Sequence, residues 1–527
     1  MNDINNQAVA LIEKLQTVVG MQYVLTDEPS RVFYSMDIWT RGVTALAVVQ
    51  PDNIEQLSTI VAAVTGAGHA LIARGGGMSY TQGYTPEEEG TVIVDCLRMN
   101  RIVEINCEDM YVTVEAGCTW KSLYQELKGS GVRTPYWGPL SGIKATIGGS
   151  ISQNSVFWGG GTHGSAVDSV TSMDVVIADG SIISTGSAAQ KNARPYFRHF
   201  GPDLTGLFSC DCGALGVKAT VTLRLVPELH ALRYAAFDFD DHKGLLAAMN
   251  EVSRQSLASE CFGFDPTLTE MRAQRDSLIN DAKAFAGVLK NSSSLMSAVK
   301  DGAKIALAGR RFMKDLSWPM YVVIEQRIDA AAEDALQQVL AIGKKHGGRE
   351  VESSIPKIIR ANPFGTLNNM IGPGGERWVP VHGLVPLSRG QELTEKVQAI
   401  FDSHEDLISK HTISTGFLYN NVSTNCLALE PVFFWPDQVD EIQKASVEKS
   451  FYQKVHKNEI DLEARQAVAL IRQQISDMFS DEGCVHLQIG KSYRYQSGLK
   501  PESISLVKSI KKVVDPKRRI NPGVLGL

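Results

Sequence analysis

Three consecutive glycines, Gly75-Gly76-Gly77, follow Arg74 and the apolar run Ala70–Ala73. An extended run ending in such a cluster turns sharply and can aim several backbone N–H groups at one anion, as phosphate-binding loops do. Met78-Ser79-Tyr80 completes the loop. It is not the G-x-G-x-x-G opening of a dinucleotide-binding helix. Gly490-Lys491-Ser492 imitates the end of a Walker A loop, but Val485 occupies the upstream position where that loop requires glycine. A second glycine site, Thr146-Ile147-Gly148-Gly149-Ser150-Ile151-Ser152-Gln153-Asn154, is followed by Gly159-Gly160-Gly161-Thr162-His163-Gly164. A third runs through Asp203–Phe208 and Cys212-Gly213-Ala214-Leu215-Gly216-Val217. Each site alone is an ordinary glycine turn; their order along one chain carries more weight.

The chain around these sites is 527 residues long, 43% hydrophobic and 21% charged, which excludes disordered, collagenous and coiled-coil classes. Its net charge of −6 argues against nucleic acid as a partner, and the basic clusters Arg310-Arg311 and Lys517-Arg518-Arg519 are short enough to be solvated faces. Eight scattered cysteines without a CxxC pair do not form a disulfide scaffold or a zinc site. No apolar run is long enough to span a membrane, and Met1–Gly20 has the spacing of a surface helix rather than the basic start of a signal peptide; the expected location is cytoplasmic.

Strand-like runs at Ala45–Val49, Thr91–Asp95, Tyr111–Glu115, Met173–Ile177 and Ala219–Val226 alternate with glycine loops and two helices, Ile54–Thr65 and Trp120–Ser130. From Glu228 onward the pattern becomes strand Tyr234–Phe239, helix Lys243–Ser256, strand Cys261–Phe264, a helical insertion over Glu270–Phe312, strand Met320–Gln326 and helix Ala330–His346. The spacing predicts a second sheet backed by helices. A helix over Pro501–Val514 precedes a closing segment, Asp515-Pro516 to Asn521-Pro522-Gly523.

The three glycine sites and the closing segment together resemble the flavin-binding domain of the vanillyl-alcohol oxidase and p-cresol methylhydroxylase (PCMH-type) superfamily. The resemblance implies an α+β fold: an FAD-binding domain of two α+β subdomains at residues 1–228, an α+β cap of antiparallel sheet and helices at 229–480, and a segment at 481–527 completing the first domain. It implies dissociable FAD. Arg74, Gly75, Gly76, Gly77, Met78 and Ser79 would cradle the pyrophosphate. Gly148, Gly149, Ser150 and Asn154 would pack along the diphosphate, ribityl chain and ring. His163 and Gly164 would pass the ring, while Gly213, Gly216, Val217 and the closing Asn521 would complete the site. Met78 stands where one branch of the superfamily attaches its flavin through histidine, Tyr136–Ala145 lacks the second branch's cysteine, and Ser423–Leu427 lacks an attaching histidine or tyrosine.

For the chemistry, Tyr493-Arg494 resembles the pair that holds a phenolate in phenol-oxidising members. A guanidinium and a phenol O–H stabilise that anion and favour hydride loss at the para carbon. The aspartate those members use as a base maps to Ser165, which leaves His163 as the proton acceptor, with a hydrogen-bonded structural role as its equal alternative. The resemblance thus implies an FAD-dependent oxidase or dehydrogenase taking hydride from a small oxygenated substrate, with a para-substituted phenol or benzylic alcohol preferred. A D-2-hydroxy-acid dehydrogenase-like enzyme is the alternative, since the Arg-Gly-Gly-Gly loop is closer to that branch and Arg494 could clamp a carboxylate. A non-catalytic flavin-binding protein is a remote third. His382, His411 and His486 are too far apart in sequence to argue a metal site. The electron acceptor would be oxygen, a quinone, a cytochrome or an electron-transfer flavoprotein, and homodimers, common in the family, are the expected assembly.

Overall fold

The computed structural model describes residues 2–273, 316–372 and 374–527. Contacts divide the chain into two units. One comprises Met1–Ser155, Ser165–Glu228 and His486–Leu527, and the other Val156–Gly164 and Leu229–Val485.

The first unit contains two sheets. In the smaller, the strands run in the order Val24–Leu25, Ala47–Val49, Val92–Asp95, Leu71–Arg74, and the last three are parallel. The helix Ile54–Gly66 carries the chain from Ala47–Val49 to Leu71–Arg74, on the far side of Val92–Asp95, and starts where the Asn53 side chain accepts the Gln56 N–H at 2.9 Å. Its buried face, Leu57, Ile60, Val61 and Val64, shares one core with Leu71, Val92 and Val94 and with Leu11 and Leu15 of the helix Asn2–Val19. Residues after the second unit return to this sheet: the Leu71 N–H donates to the Arg519 carbonyl at 2.7 Å and the Asn521 N–H to the Leu71 carbonyl at 2.8 Å.

The second sheet is antiparallel, in the order Ile102–Asn106, Tyr111–Glu115, Val217–Arg224, Val170–Val176, Ile182–Ser184. The strand expected from Met173 begins earlier, at Val170. Its polar residues are buried because their hydroxyls are satisfied, Thr171 Oγ1 donating to the Pro195 carbonyl at 2.7 Å and Ser172 Oγ to the Thr185 carbonyl at 2.8 Å. The helix expected over Trp120–Ser130 stops at Leu127, ahead of Gly129 and Gly131, both at positive φ.

The second unit is built on one antiparallel sheet, in the order Arg349–Glu350, Ala231–Phe239, Trp318–Gln326, Glu260–Phe264, Ser414–Val422, Cys426–Pro436, Glu376–Pro380, with Gly383–Pro386 also paired to Cys426–Pro436. Helices His242–Arg254, Asp329–Lys345, Gly390–Ser403 and Leu462–Asp481 each bury an apolar stripe. The start of the expected insertion is helical, Pro266–Ala273; the rest, 274–312, lies outside the described residues. Val156–Gly164, which the sequence pattern groups with the amino-terminal glycine sites, clusters with this unit. The reason is local: the Gly161 N–H donates to the Ser259 carbonyl at 2.9 Å, and the Ser423 N–H to the Gly160 carbonyl at 2.8 Å.

Candidate functional site

Leu71–Arg74 ends in a loop that has no use for its own amides. None of the N–H groups of Gly75, Gly76, Gly77, Met78 and Ser79 finds a backbone acceptor among the described residues. Gly77 sits at φ +69°, a conformation that favours glycine. Against the loop lies the second glycine site. A Cβ on Gly76 would fall 1.9 Å from the Lys144 carbonyl oxygen, and one on Gly75 would fall 2.2 Å from Thr146 Oγ1. Thr146 in turn caps the helix Ile147–Gln153, its hydroxyl accepting the Gly149 N–H at 3.2 Å. Gly148 rests on Ala116, where a Cβ would come within 2.6 Å of the Ala116 Cβ. Ser150 Oγ accepts Trp120 Nε1–H at 2.8 Å, which ties this helix to its neighbour.

The third site is fixed by Asp211. Its carboxylate accepts the N–H of Gly213 at 2.9 Å and of Leu215 at 3.2 Å, and it forms a buried ion pair with Lys218. A Cβ on Gly216 would meet Val175 Cγ1 at 2.5 Å. Asn521 does not line the cavity these loops enclose; it is a clamp, its Nδ2 donating to the carbonyls of Gly83 at 2.8 Å and Cys212 at 2.9 Å.

Arg74 through Ser79, Gly148, Gly149, Ser150, Gly213, Gly216 and Val217 thus surround one cavity of about 910 Å³, counting the space open to solvent. Sequence reasoning missed several of its walls: Cys96, Ser141, Thr146, Gln153, Cys212, Lys218 and Gln488. Thr146 had a signal, as a helix-capping residue ahead of Ile147-Gly148-Gly149. Gln488, brought in by a residue at φ +47° far along the chain, had none.

The electrostatics favour an anion. The Arg74 side chain is buried, and its Nε has no hydrogen-bond partner. Its guanidinium lies 5.3, 4.7 and 5.5 Å from the ring centres of Phe33, Tyr34 and Tyr84. The nearby Asp95 carboxylate is already taken by Tyr34 Oη at 2.7 Å, Gln50 Nε2 at 2.8 Å and the Leu97 N–H at 3.1 Å. The Tyr84 hydroxyl is likewise committed, donating to the Ser79 carbonyl at 3.1 Å. Burial and the charge of Arg74 hold the Lys144 ammonium below the usual lysine range. A cation seated on aromatic faces and unsatisfied amides are what a bound diphosphate would complete. The residues present therefore fit the pyrophosphate of FAD.

The remaining expected residues lie elsewhere. Asn154 ends the helix Ile147–Gln153 in a left-handed conformation, with its buried Oδ1 unpartnered. Tyr493 is buried and stacks on His486, ring centres 4.1 Å apart and planes 9° from parallel, while Arg494 is exposed. His163 and Gly164 end the short helix Gly160–His163 within the second unit. Among the described residues no group of three or more His, Cys, Asp or Glu is arranged to hold a metal ion, and no helix is long and apolar enough to cross a membrane. None of the eight cysteines forms a disulfide.

Residues 45–186 match the model of an FAD binding domain. The chain is 31% identical over 217 residues to glycolate oxidase subunit GlcD of Bacillus subtilis, covering 41% of this chain and 44% of that protein. It is 28% identical over 218 residues to D-lactate dehydrogenase of Archaeoglobus fulgidus, covering 41% and 47%. The chain thus matches about half the length of these curated relatives or less. Among solved structures, p-cresol methylhydroxylase with substrate bound superposes with a TM-score of 0.74 at 18% identity, over 99% of this chain and 97% of the other. The isoeugenol complex of 4-ethylphenol oxidase from Gulosibacter chungangensis gives 0.71 at 17% identity, with the same coverage.

Proposed function

Because this chain carries the FAD-binding domain and the fold of the PCMH-type flavoproteins, we propose that it is an FAD-dependent oxidoreductase acting on a small oxygenated organic substrate. The observation that carries the proposal is the glycine-walled cavity, where the loop amides of Gly75–Ser79 have no backbone acceptors and the Nε of the buried Arg74 has no hydrogen-bond partner. FAD held there would supply a hydride acceptor. The protein's own part is binding, orientation and proton handling. The loop and Arg74 hold the diphosphate, and Gly148, Gly149 and Gly213 let backbone approach the cofactor closely. Tyr493 and Arg494 hold an anionic oxygen of the substrate, and His163 accepts the proton released as that substrate is oxidised. The flavin is dissociable, since Met78 offers no attachment chemistry where one branch of the superfamily has histidine.

A para-substituted phenol or benzylic alcohol is the preferred substrate class, supported by the whole-chain likeness to p-cresol methylhydroxylase and 4-ethylphenol oxidase. A D-2-hydroxy acid is the second reading, favoured by the higher sequence identity to glycolate oxidase and D-lactate dehydrogenase. The visible spectrum of the purified protein tests both. Acid precipitation should leave yellow flavin in the supernatant, and anaerobic addition of a para-alkylphenol or benzylic alcohol should bleach the bound flavin. Bleaching by a D-2-hydroxy acid alone would transfer the assignment to the second class. A colourless protein that cannot be reconstituted with FAD would refute both.

A further inference from the structure

The second unit buries two carboxylates around one guanidinium, and one of them reaches the turn that carries His163. Glu260, at the start of the strand Glu260–Phe264, is wholly buried. Its Oε1 accepts the Gly159 N–H at 2.6 Å, and its Oε2 accepts the Ser259 hydroxyl at 2.7 Å. Gly159 is the residue before the short helix Gly160–His163, and its left-handed conformation, φ 78°, turns the chain into that helix. The same helix is sewn to the strand's approach by Thr162 Oγ1, which donates to the Ala258 carbonyl at 3.1 Å. Glu260 therefore holds the turn that leads into the helix ending at His163.

The groups that face Glu260 come from each element packed around it. Glu325 lies on the neighbouring strand Trp318–Gln326 and is ion-paired with Arg360 of the helix Ser354–Ala361, and Tyr234 lies on the strand Ala231–Phe239. The two carboxylates lie close enough that the charge on Glu325 adds to the cost that burial sets on the charge of Glu260.

We propose that Glu260 is a positioning residue for His163, holding the Gly159 turn through its carboxylate and loosening it when that carboxylate takes up a proton. The link to turnover rests on the role given to His163 above; the grip on the turn does not. Burial, and after it the charge of Glu325, push the Glu260 carboxyl above the usual carboxylate range, against the pull of Arg360 and of the Gly159 N–H. The ionised form is the better acceptor, because a charge-assisted hydrogen bond is roughly twice as strong as a neutral one. The turn should then be held more tightly as pH rises through the titration.

Hydrogen exchange of peptides spanning 156–164, measured on the full chain by mass spectrometry and corrected for intrinsic exchange, reads this without any flavin. In the wild type, protection should rise about tenfold across the titration. Glu260→Gln keeps an acceptor and removes the charge, so its protection should be low and flat with pH. Ser259→Ala, a milder change that removes one donor to the carboxylate, should move the rise to higher pH, which keeps the test open if Glu260→Gln fails to fold. Wild-type protection that does not vary with pH, or equals that of Glu260→Gln throughout, would overturn the proposal. On the loaded enzyme, Glu260→Gln should lower kcat at pH values above the Glu260 titration, where the wild-type turn is held, with KM little changed. Normal turnover in His163→Gln would instead refute the role of His163, leaving the exchange result as the measure of the Glu260 grip.

Discussion

Two glycine turns of this protein are alike in sequence and opposite in hydrogen bonding. Gly75-Gly76-Gly77 leaves its amides without backbone acceptors, whereas in Gly159-Gly160-Gly161 the first amide goes to Glu260, the second to the Phe157 carbonyl and the third to the Ser259 carbonyl. Both need glycine, but for different ends. The open turn is a socket that only something outside the chain can complete, and the closed turn is a hinge pin completed by the chain itself. Glycine content alone cannot separate a binding loop from a positioning loop; the count of remaining donors can.

The sharpest way to break the comparison is to fill the open turn. Gly76→Val should leave the protein without flavin and also lower the unfolding temperature of the apoprotein, because its Cβ meets the Lys144 backbone rather than the cofactor space. Flavin-to-protein ratio and apoprotein melting together decide it; an apoprotein of undiminished stability would place the cost on the cofactor side. Next in size, Arg494→Ala should lower turnover on the order of 100-fold while leaving FAD content near that of the wild type, as expected for loss of one anion-stabilising donor. Joint loss of flavin and turnover would make Arg494 part of the fold. Arg74→Gln should weaken FAD binding by roughly 10- to 100-fold, the worth of a charged hydrogen bond at about 1.5–3 kcal/mol, and titration of the apoprotein with FAD would measure it.

A further effect, on stability rather than on the cofactor, concerns the second unit. Burial pushes the Asp265 carboxyl from 3.8 up to about 6, so between those values the folded state binds more protons than the unfolded one. Stability from this group is full at low pH and falls as pH rises from about 4 to about 6, by on the order of 3 kcal/mol at 1.36 kcal/mol per unit. Asp265→Asn keeps an acceptor for the Leu268 N–H and lacks the titration, so its stability relative to the wild type should climb across that window in denaturant melts. A constant difference between the two proteins would remove the charge penalty assigned to Asp265.

What could be read in advance follows from the range of the forces involved. The run of strand, helix and strand at Ala47–Val49, Ile54–Gly66 and Leu71–Arg74 was legible because apolar periodicity is a local signal. The loop at Gly75–Gly77 was legible as a sharp turn after a strand, though not from glycine alone as a binding loop. Gly213 and Gly216 were found by their motif, yet the Asp211–Lys218 pair that fixes their strand was not, because a buried ion pair has no signature until the fold places it. Glu260 was invisible for the same reason. Asn521 was noticed for its place in the closing motif, but its work as a clamp on Gly83 and Cys212 appears only once three distant segments meet. Val156–Gly164 could not be placed by reading along the chain, because its partners, Ser259, Glu260 and Ser423, lie far downstream.

The return of residues 519–521 to Leu71 also sets an order of events during synthesis. The strand that leads into the cofactor loop keeps an unpaired edge until every residue of the second unit has left the ribosome, so the second unit can fold while the first is still waiting. A ribosome that stalls before Ile520 then leaves a chain whose glycine loop is intact but whose preceding strand lacks the segment that pairs with it.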